Sequence, residues 1–404
     1  MSTGMLALRA PVVFDGMHFT PNGATVMIQD DRIVGVESFA FDVPGGCEVR
    51  TFTGTLLPGL FDAHVHLISD GSVGALERAG EASDEELDRM IAESLRVQAR
   101  AGVTTVRDLG DRGYRTLAAR DQRDPGLPRV LAAGPPLTLP GGHCHFLGGA
   151  VQGVDQIRAS VAERSERGVD VVKVMASGGF LTAGTDMFGA QFEPSELRVL
   201  VDSCHDAGLR VLAHAHSLAG IEHALSAGVD GIEHFTGFTE SGVQVSDELL
   251  GRTAAAGVAV DPTLGFDRDV FARMPEPPPH VREAMRRTGM DFTSLTAARR
   301  TLAGRFREHG VRVVTGVDSG AMPMKPHGTA FRAITELIDA GYPVADALRT
   351  ATSIAADVCG LSEVTGSLRA GLAADLLVVE GDVERDPSAL ARPVLVLVGG
   401  HPAA

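Results

Sequence analysis

LLPGLFDAHVHL, residues 56–67, is the stretch from which the rest of the chain can be read. An apolar run reaches Pro58-Gly59, continues through Leu60 and Phe61, and then delivers His64 and His66 two residues apart. In an extended strand, positions i and i+2 share a face, so both imidazoles point the same way and can hold one metal ion. Two histidines near a strand end are equally well explained by ordinary hydrogen bonding, so the pair takes its meaning from residues further along.

Downstream of this stretch the pattern becomes strand, helix, strand, helix. Strands are expected at Thr104–Asp108, Arg129–Ala133, Asp170–Ala176, Arg210–His214, Gly231–His234, Val258–Thr263 and Val311–Asp318, which with the opening strand at Leu56–Phe61 makes eight. Between them, SDEELDRMIAESLRVQARAG starts with Ser83 and Glu86 in capping-box spacing and repeats apolar residues at helical intervals up to Gly102. PSELRVLVDSCHDAG opens on Pro194 and stops at Gly208, and GTAFRAITELIDAG closes at Gly341. Eight such alternations predict an α/β fold, a (β/α)8 TIM-like barrel with chemistry at the C-terminal ends of its strands. The segment from Phe266 to Arg300, containing MPEPPPH, is too long for a plain connection and is a candidate lid or substrate-facing loop.

The flanks read differently. Residues 5–57 carry short β patterns punctuated by Asp15-Gly16, Pro21-Asn22-Gly23 and Pro44-Gly45-Gly46, and the strand-like GSLRAGLAADLLVVEGD and PVLVLVGG follow near the other end. Neither flank has strands enough to bury a sheet alone. Segments 1–58 and 366–404 are therefore expected to pair into a small β-sandwich, leaving 59–365 as the barrel.

Composition excludes several classes. With 52 acidic against 36 basic residues the formal charge is −16, which repels a nucleic-acid backbone. The four cysteines, Cys47, Cys144, Cys204 and Cys359, form no C-x-x-C pair and read as reduced, buried thiols of a cytoplasmic protein. No apolar run approaches a membrane span, so no membrane partner is expected.

The residue that says most about chemistry is Lys173, in DVVKVMASGG. Its apolar flanks mark a strand buried on both faces, where a charged, unpaired lysine is costly. Burial lowers its pKa, and the neutral amine that results can add carbon dioxide to become a carbamate able to bridge two cations. His214 ends the next strand in RVLAHAHS, with His216 sharing its alternation; His214 is favoured as the ligand because it lies nearer the strand end. His234 ends the strand after that in GIEHF, and Asp318 closes VVTGVDSG. His64, His66, Lys173, His214, His234 and Asp318 thus form a candidate ligand set for two divalent metal ions. Zinc suits this mixture of imidazole and carboxylate best, although manganese, iron or cobalt would also accept it.

LLPGLFDAHVHL, TTVRDLG, GGHCHFLGG, VVKVMASGG, AHAHS, GIEHF, GVDSG and GSLRAGLAADLLVVEGD occur in the order, and over nearly the whole length, seen in the amidohydrolase superfamily. The chain resembles its imidazolonepropionase-like and Xaa-Pro dipeptidase-like metal-dependent hydrolases. The resemblance implies that His64 and His66 bind the more buried ion, that Lys173 bridges as N6-carboxylysine, and that His214 and His234 bind the second ion. It implies also that Asp318 touches the first ion and handles protons, and that the chain forms a homo-oligomer. GVDSG stands where GTDAG is common, with the aspartate kept.

The expected reaction is cleavage of an amide bond in a small molecule, an N-acyl amino acid or dipeptide-like compound, by a hydroxide shared between two ions. Asp318 would move its proton to the departing nitrogen, and His143, in the loop after the third strand, would hydrogen-bond the developing oxyanion or a substrate carboxylate. His145 and His327 are weaker pocket candidates, and His18, His205, His223, His280, His309 and His401 read as bland. A cyclic-amide hydrolase or a biosynthetic cyclase would use the same centre. A catalytically silent scaffold would have lost ligands, and all six are present.

Overall fold

Gly59 divides the opening apolar run into two strands that serve different sheets. Its N–H donates to Asp375 O (2.9 Å), whereas the N–H of Leu60 donates to Gly102 O (2.9 Å), so the backbone changes partner within one residue. A Cβ at position 59 would lie 2.2 Å from the Thr104 side chain, which leaves glycine as the residue that fits. The single strand expected over Leu56–Phe61 is therefore two: Thr55–Pro58 in the terminal sheet and Leu60–Val65 at the start of the central one. The computed structural model in which this is seen describes residues 4–122, 124–274 and 276–404.

The flanking segments pair as expected. Thr55–Pro58 lies antiparallel to Leu376–Val379, with Pro58 opposite Leu376. Around this pair a six-stranded sheet runs in the order His401–Pro402, Pro393–Val398, Leu376–Val379, Thr55–Pro58, Val12–Phe14, Phe19–Thr20. A second sheet orders Arg32–Ser38, Ala24–Gln29, Met5–Ala10 and Glu48–Thr51. Alternate residues from both, including Leu8, Val26, Leu56, Leu376 and Val378, enter one buried apolar cluster.

The central strands are Leu60–Val65 (β1), Val103–Asp108 (β2), Arg129–Ala132 (β3), Val172–Met175 (β4), Val211–Ser217 (β5), Gly231–Thr239 (β6), Ala259–Asp261 (β7) and Arg312–Val313 (β8). They form two parallel arcs, β3-β2-β1 and β4-β5-β6-β7-β8. Backbone hydrogen bonds lace the arcs together at both ends. Leu137 N–H donates to Lys173 O and Met175 N–H to Leu137 O, both at 2.8 Å. On the other side Ala63 N–H donates to Thr315 O (3.0 Å) and His66 N–H to Ser319 O (2.8 Å).

Several expected boundaries move. β5 runs on to Ser217 and β6 to Thr239, so neither His214 nor His234 ends its strand; β4 and β7 are shorter than expected; and β8 shrinks from Val311–Asp318 to two residues. The cause of the β8 change is local: Gly316 packs where a Cβ would meet Asp261 Oδ2 at 2.0 Å, and Asp318 adopts φ 67°, so the chain leaves ladder geometry. The helices follow their signals, with Asp84–Arg100 opened by the Ser83–Glu86 capping box and Pro194–Asp206 opened by its proline. The 266–300 segment holds helices at Arg268–Phe271 and Pro279–Thr288 and the start of Phe292–Glu308; Pro275 lies outside the described residues.

Leu376 is fully buried between the two terminal sheets. Leu376→Ala should therefore cost about 3 kcal/mol, read as a lower urea midpoint by circular dichroism, with bound metal retained in the native state.

Candidate metal centre

The central strands deliver the expected donors to one buried region. His64 stands on β1 with His66 one residue past its end, Lys173 on β4, His214 and His216 on β5, His234 on β6, and Asp318 in the loop beyond β8. All seven are buried. Two donor groups result: His64, His66 and Asp318, and His214, His216 and His234, each with ligand atoms within 4.8 Å of one another. His216, set aside in favour of His214 from sequence, belongs to the second group together with it, because both rings lie inside the longer β5. The rings of the two groups also approach, with His64 and His234 centroids 5.4 Å apart.

Fixed acceptors set which imidazole nitrogen is available. Because a carbonyl only accepts, His66 donates from Nδ1 to Gly110 O (3.2 Å), leaving Nε2 to face Asp318 Oδ1 at 3.2 Å. His214 donates instead from Nε2 to Gly178 O (3.1 Å), leaving Nδ1 for the centre. Nδ1 of His216 meets Thr236 Oγ1 and Nδ1 of His234 meets Thr263 Oγ1, both at 2.8 Å. Burial holds His214, His216 and His234 well below the ordinary imidazole pKa, so they are neutral with a lone pair to offer. Neutral, oriented imidazoles with hydrogen-bonded backs are what a divalent ion requires, and the residues present fit such ions.

Lys173 Nζ lies 3.5 Å from His64 Nε2, and burial pushes its pKa down. Among the described residues no carboxylate lies within ion-pair distance of it. For Asp318, burial alone would raise the pKa, but His64, the hydrogen bond from His66, and Lys325 outweigh it and hold the carboxyl ionised. His143 is buried at the rim of the same centre, its ring 4.5 Å from that of His214 and its Nδ1 without a hydrogen-bond partner. His145 and His327 stand apart: His145 Nδ1 donates to Gly142 O, and His327 Nε2 to Ser69 O, behind His66.

Several supporting residues escaped the sequence reading. Glu233 Oε2 lies 2.7 Å from His64 Nδ1, with Asp261 Oδ2 at 3.7 Å, while Arg107 bonds both Ala63 O and Glu233. Arg299 donates to Oγ1 and O of Thr263, and Lys325 Nζ donates to the Thr263 and Val317 carbonyls at 2.7 Å each. Thr263, at φ 44°, is thereby clamped in the left-handed region with its hydroxyl on His234. Charged residues inside apolar strand ends, Glu233 in GIEHF and Asp261 in VAVDP, were the signal available.

Parallel strands that end in clustered imidazoles and a carboxylate define a metal-binding α/β protein. Residues 55–402 match the Amidohydrolase family, and the chain belongs to it, a family of metal-dependent hydrolases acting on carbon–nitrogen bonds. An uncharacterised protein of Mycobacterium tuberculosis is 29% identical over 358 residues, 86% of this chain and 85% of that one. The ochratoxinase of Aspergillus niger is 27% identical over 265 residues, 56% of this chain and 54% of its own. Among solved structures, a Xaa-Pro dipeptidase with bound methionine in its active site superposes with a TM-score of 0.86 at 25% identity, covering 99% of each chain.

Thr263→Val removes the hydroxyl behind His234 at nearly constant volume, and should weaken metal affinity by about 10–100-fold in a chelator-competition titration, with a lower thermal midpoint as well because Arg299 loses the same hydroxyl. Burial pushes the Cys144 and Cys204 thiols up to about 12. At pH 8, four units below, about one molecule in ten thousand carries either thiolate, so iodoacetamide should leave both unmodified in the native protein and alkylate both after unfolding, read by peptide mass spectrometry.

Proposed function

We propose that the chain is a binuclear metal-dependent amidohydrolase that cleaves an amide bond in an N-acyl amino acid or dipeptide-like small molecule. The observation that carries this reading is the junction of the two donor groups around an unpaired buried lysine, with Lys173 Nζ 3.5 Å from His64 Nε2 and that same nitrogen 3.5 Å from Asp318 Oδ1. Likeness to a Xaa-Pro dipeptidase supports a dipeptide-like substrate. Two divalent ions, zinc for preference, would supply a water of lowered pKa and a Lewis acid for the scissile carbonyl.

The protein's own groups do the rest. Lys173, whose pKa burial lowers, attacks carbon dioxide from its neutral amine form; its nitrogen gains a bond to carbon and loses a proton to solvent, and the carbamate so formed presents two oxygens to the centre. Asp318, kept ionised, accepts the proton of the attacking water and returns it to the departing nitrogen. His143, at the rim, donates to the oxyanion as it develops or to a substrate carboxylate. Glu233 and Gly110 O hold the His64 and His66 rings from behind. The same reading takes the two laced arcs as one (β/α)8 barrel over 59–365 and the two terminal sheets as a β-sandwich of 1–58 plus 366–404.

Lys173→Ala should lose metal and activity together, measured by elemental analysis and amide hydrolysis; full metal retention would sink the bridging role. Asp318→Asn should keep most of the metal and lower kcat by about 100-fold or more, and near-normal turnover would assign the proton to another group.

A further inference from the structure

We infer that the substrate carries a bulky apolar, ring-sized group on one side of its scissile amide, seated in a cavity that the 266–295 segment builds over the metal centre. This inference rests on the proposed hydrolysis and names its substrate class. The cavity has a volume of about 990 Å3, the size of site that takes a multi-ring small molecule rather than a short-chain dipeptide. It is continuous with the centre, because His216, His234 and Asp318 form its floor as well as part of the donor groups.

A row of rings leads out of the centre along one wall. The His216 ring lies 5.1 Å from Phe180, Phe180 lies 6.3 Å from Phe292, and Phe292 lies 5.2 Å from Phe271. Met274, Met285 and Met290 complete the far end with flexible, polarizable side chains that adapt to a flat apolar guest.

Glu77 apart, the charged groups on these walls are engaged with one another or with the backbone. Arg282 pairs with Glu276 and Arg286 with Glu283, while Asp291 caps Phe292–Glu308 by accepting from Ser294 N–H. Arg299 and Lys325 are turned to the carbonyls of Pro262, Thr263 and Val317. Polar demand on the ligand therefore concentrates at the floor, beside the centre, and, Glu77 apart, the rest of the cavity offers mainly apolar surface. His280, bland by sequence, sits in this wall with Nε2 donating to Phe180 O at 2.9 Å, fixing one ring of the row.

The test uses metal-loaded Asp318→Asn protein, in which ligand is consumed about 100-fold or more slowly, and compares N-acetylglycine with N-naphthoylglycine and N-acetylnaphthylalanine by calorimetry. At least one naphthyl probe should bind about 30-fold or more tighter than N-acetylglycine, since each buried methylene-sized unit is worth about 0.8 kcal/mol. Met274→Trp, a partly exposed position on the cavity wall, should shrink that ratio at least about tenfold by filling the space. Affinities of both naphthyl probes within threefold of N-acetylglycine would overturn the inference. So would a naphthyl preference that survives Met274→Trp, because the group would then sit elsewhere. Wild-type turnover separates this from the parent reading: selective binding without hydrolysis of any probe sinks the proposed reaction and leaves the cavity assignment, and hydrolysis without size preference does the reverse.

Discussion

The carboxylate of Asp62 is the pin from which the metal centre hangs. It is fully buried below His64, and accepts from Val317 N–H (2.9 Å), Ser319 Oγ (2.7 Å) and Gln98 Nε2 (3.1 Å). Burial drives its pKa up, to about 6, against the pull of these donors. What the arrangement secures is the meeting of the first and last strands: Asp318 N–H donates to His64 O at 2.8 Å, and His66 N–H to Ser319 O at 2.8 Å. Residues more than 250 positions apart thereby become one side of the site. Without the pin, only the two backbone bonds and the contacts of Asp318 with His66 and Lys325 would hold that side of the site together.

The rest of the centre follows from the scarcity of water within it. Imidazoles and an amine buried in this number cannot all carry charge, because the desolvation of each would cost several kcal/mol. Burial shifts His214, His216, His234 and Lys173 toward their neutral forms, in which imidazole binds metal and lysine reacts with carbon dioxide, whereas Asp318 draws His66 the other way. The acids that remain are tied to cations or backbone donors: Glu233 to Arg107, Asp318 to Lys325, Asp108 to the N–H groups of Leu67 and Gly110. Strain is concentrated in the same place, with His234, Thr263 and Asp318 at positive φ where their strands turn toward the centre. The packed β-strands beneath supply the rigidity that such a geometry needs.

Ligand type was legible in the chain because it depends on chemistry and period alone. A histidine two places from another in a strand, and a lysine in an apolar run, carry their reading wherever the strand ends up. The backs of the ligands were not legible in this way. Thr236, Thr263, Gly110 and Gly178 touch the rings through loops whose course no periodicity encodes, and the choice between His214 and His216 depended on a strand boundary that local pattern placed three residues early. No described helix is long and apolar enough to cross a membrane, in keeping with the hydropathy pattern.

The sequence by itself determined the alternation of strands and helices, the β character of the two flanking segments, and the donor-bearing positions and their division between separate strands. Those features rest on side-chain period, turn chemistry and the cost of burying charge, each of which acts within a few residues. Only the tertiary structure decided that Gly59 splits one apolar run between two sheets and that His216 joins the donor group. It likewise decided that the 266–300 segment, a lid or substrate-facing loop by sequence, lines the wall of a cavity. Such outcomes depend on which distant backbone groups and side chains meet, and that is settled by close packing across the whole molecule rather than by any local run of residues.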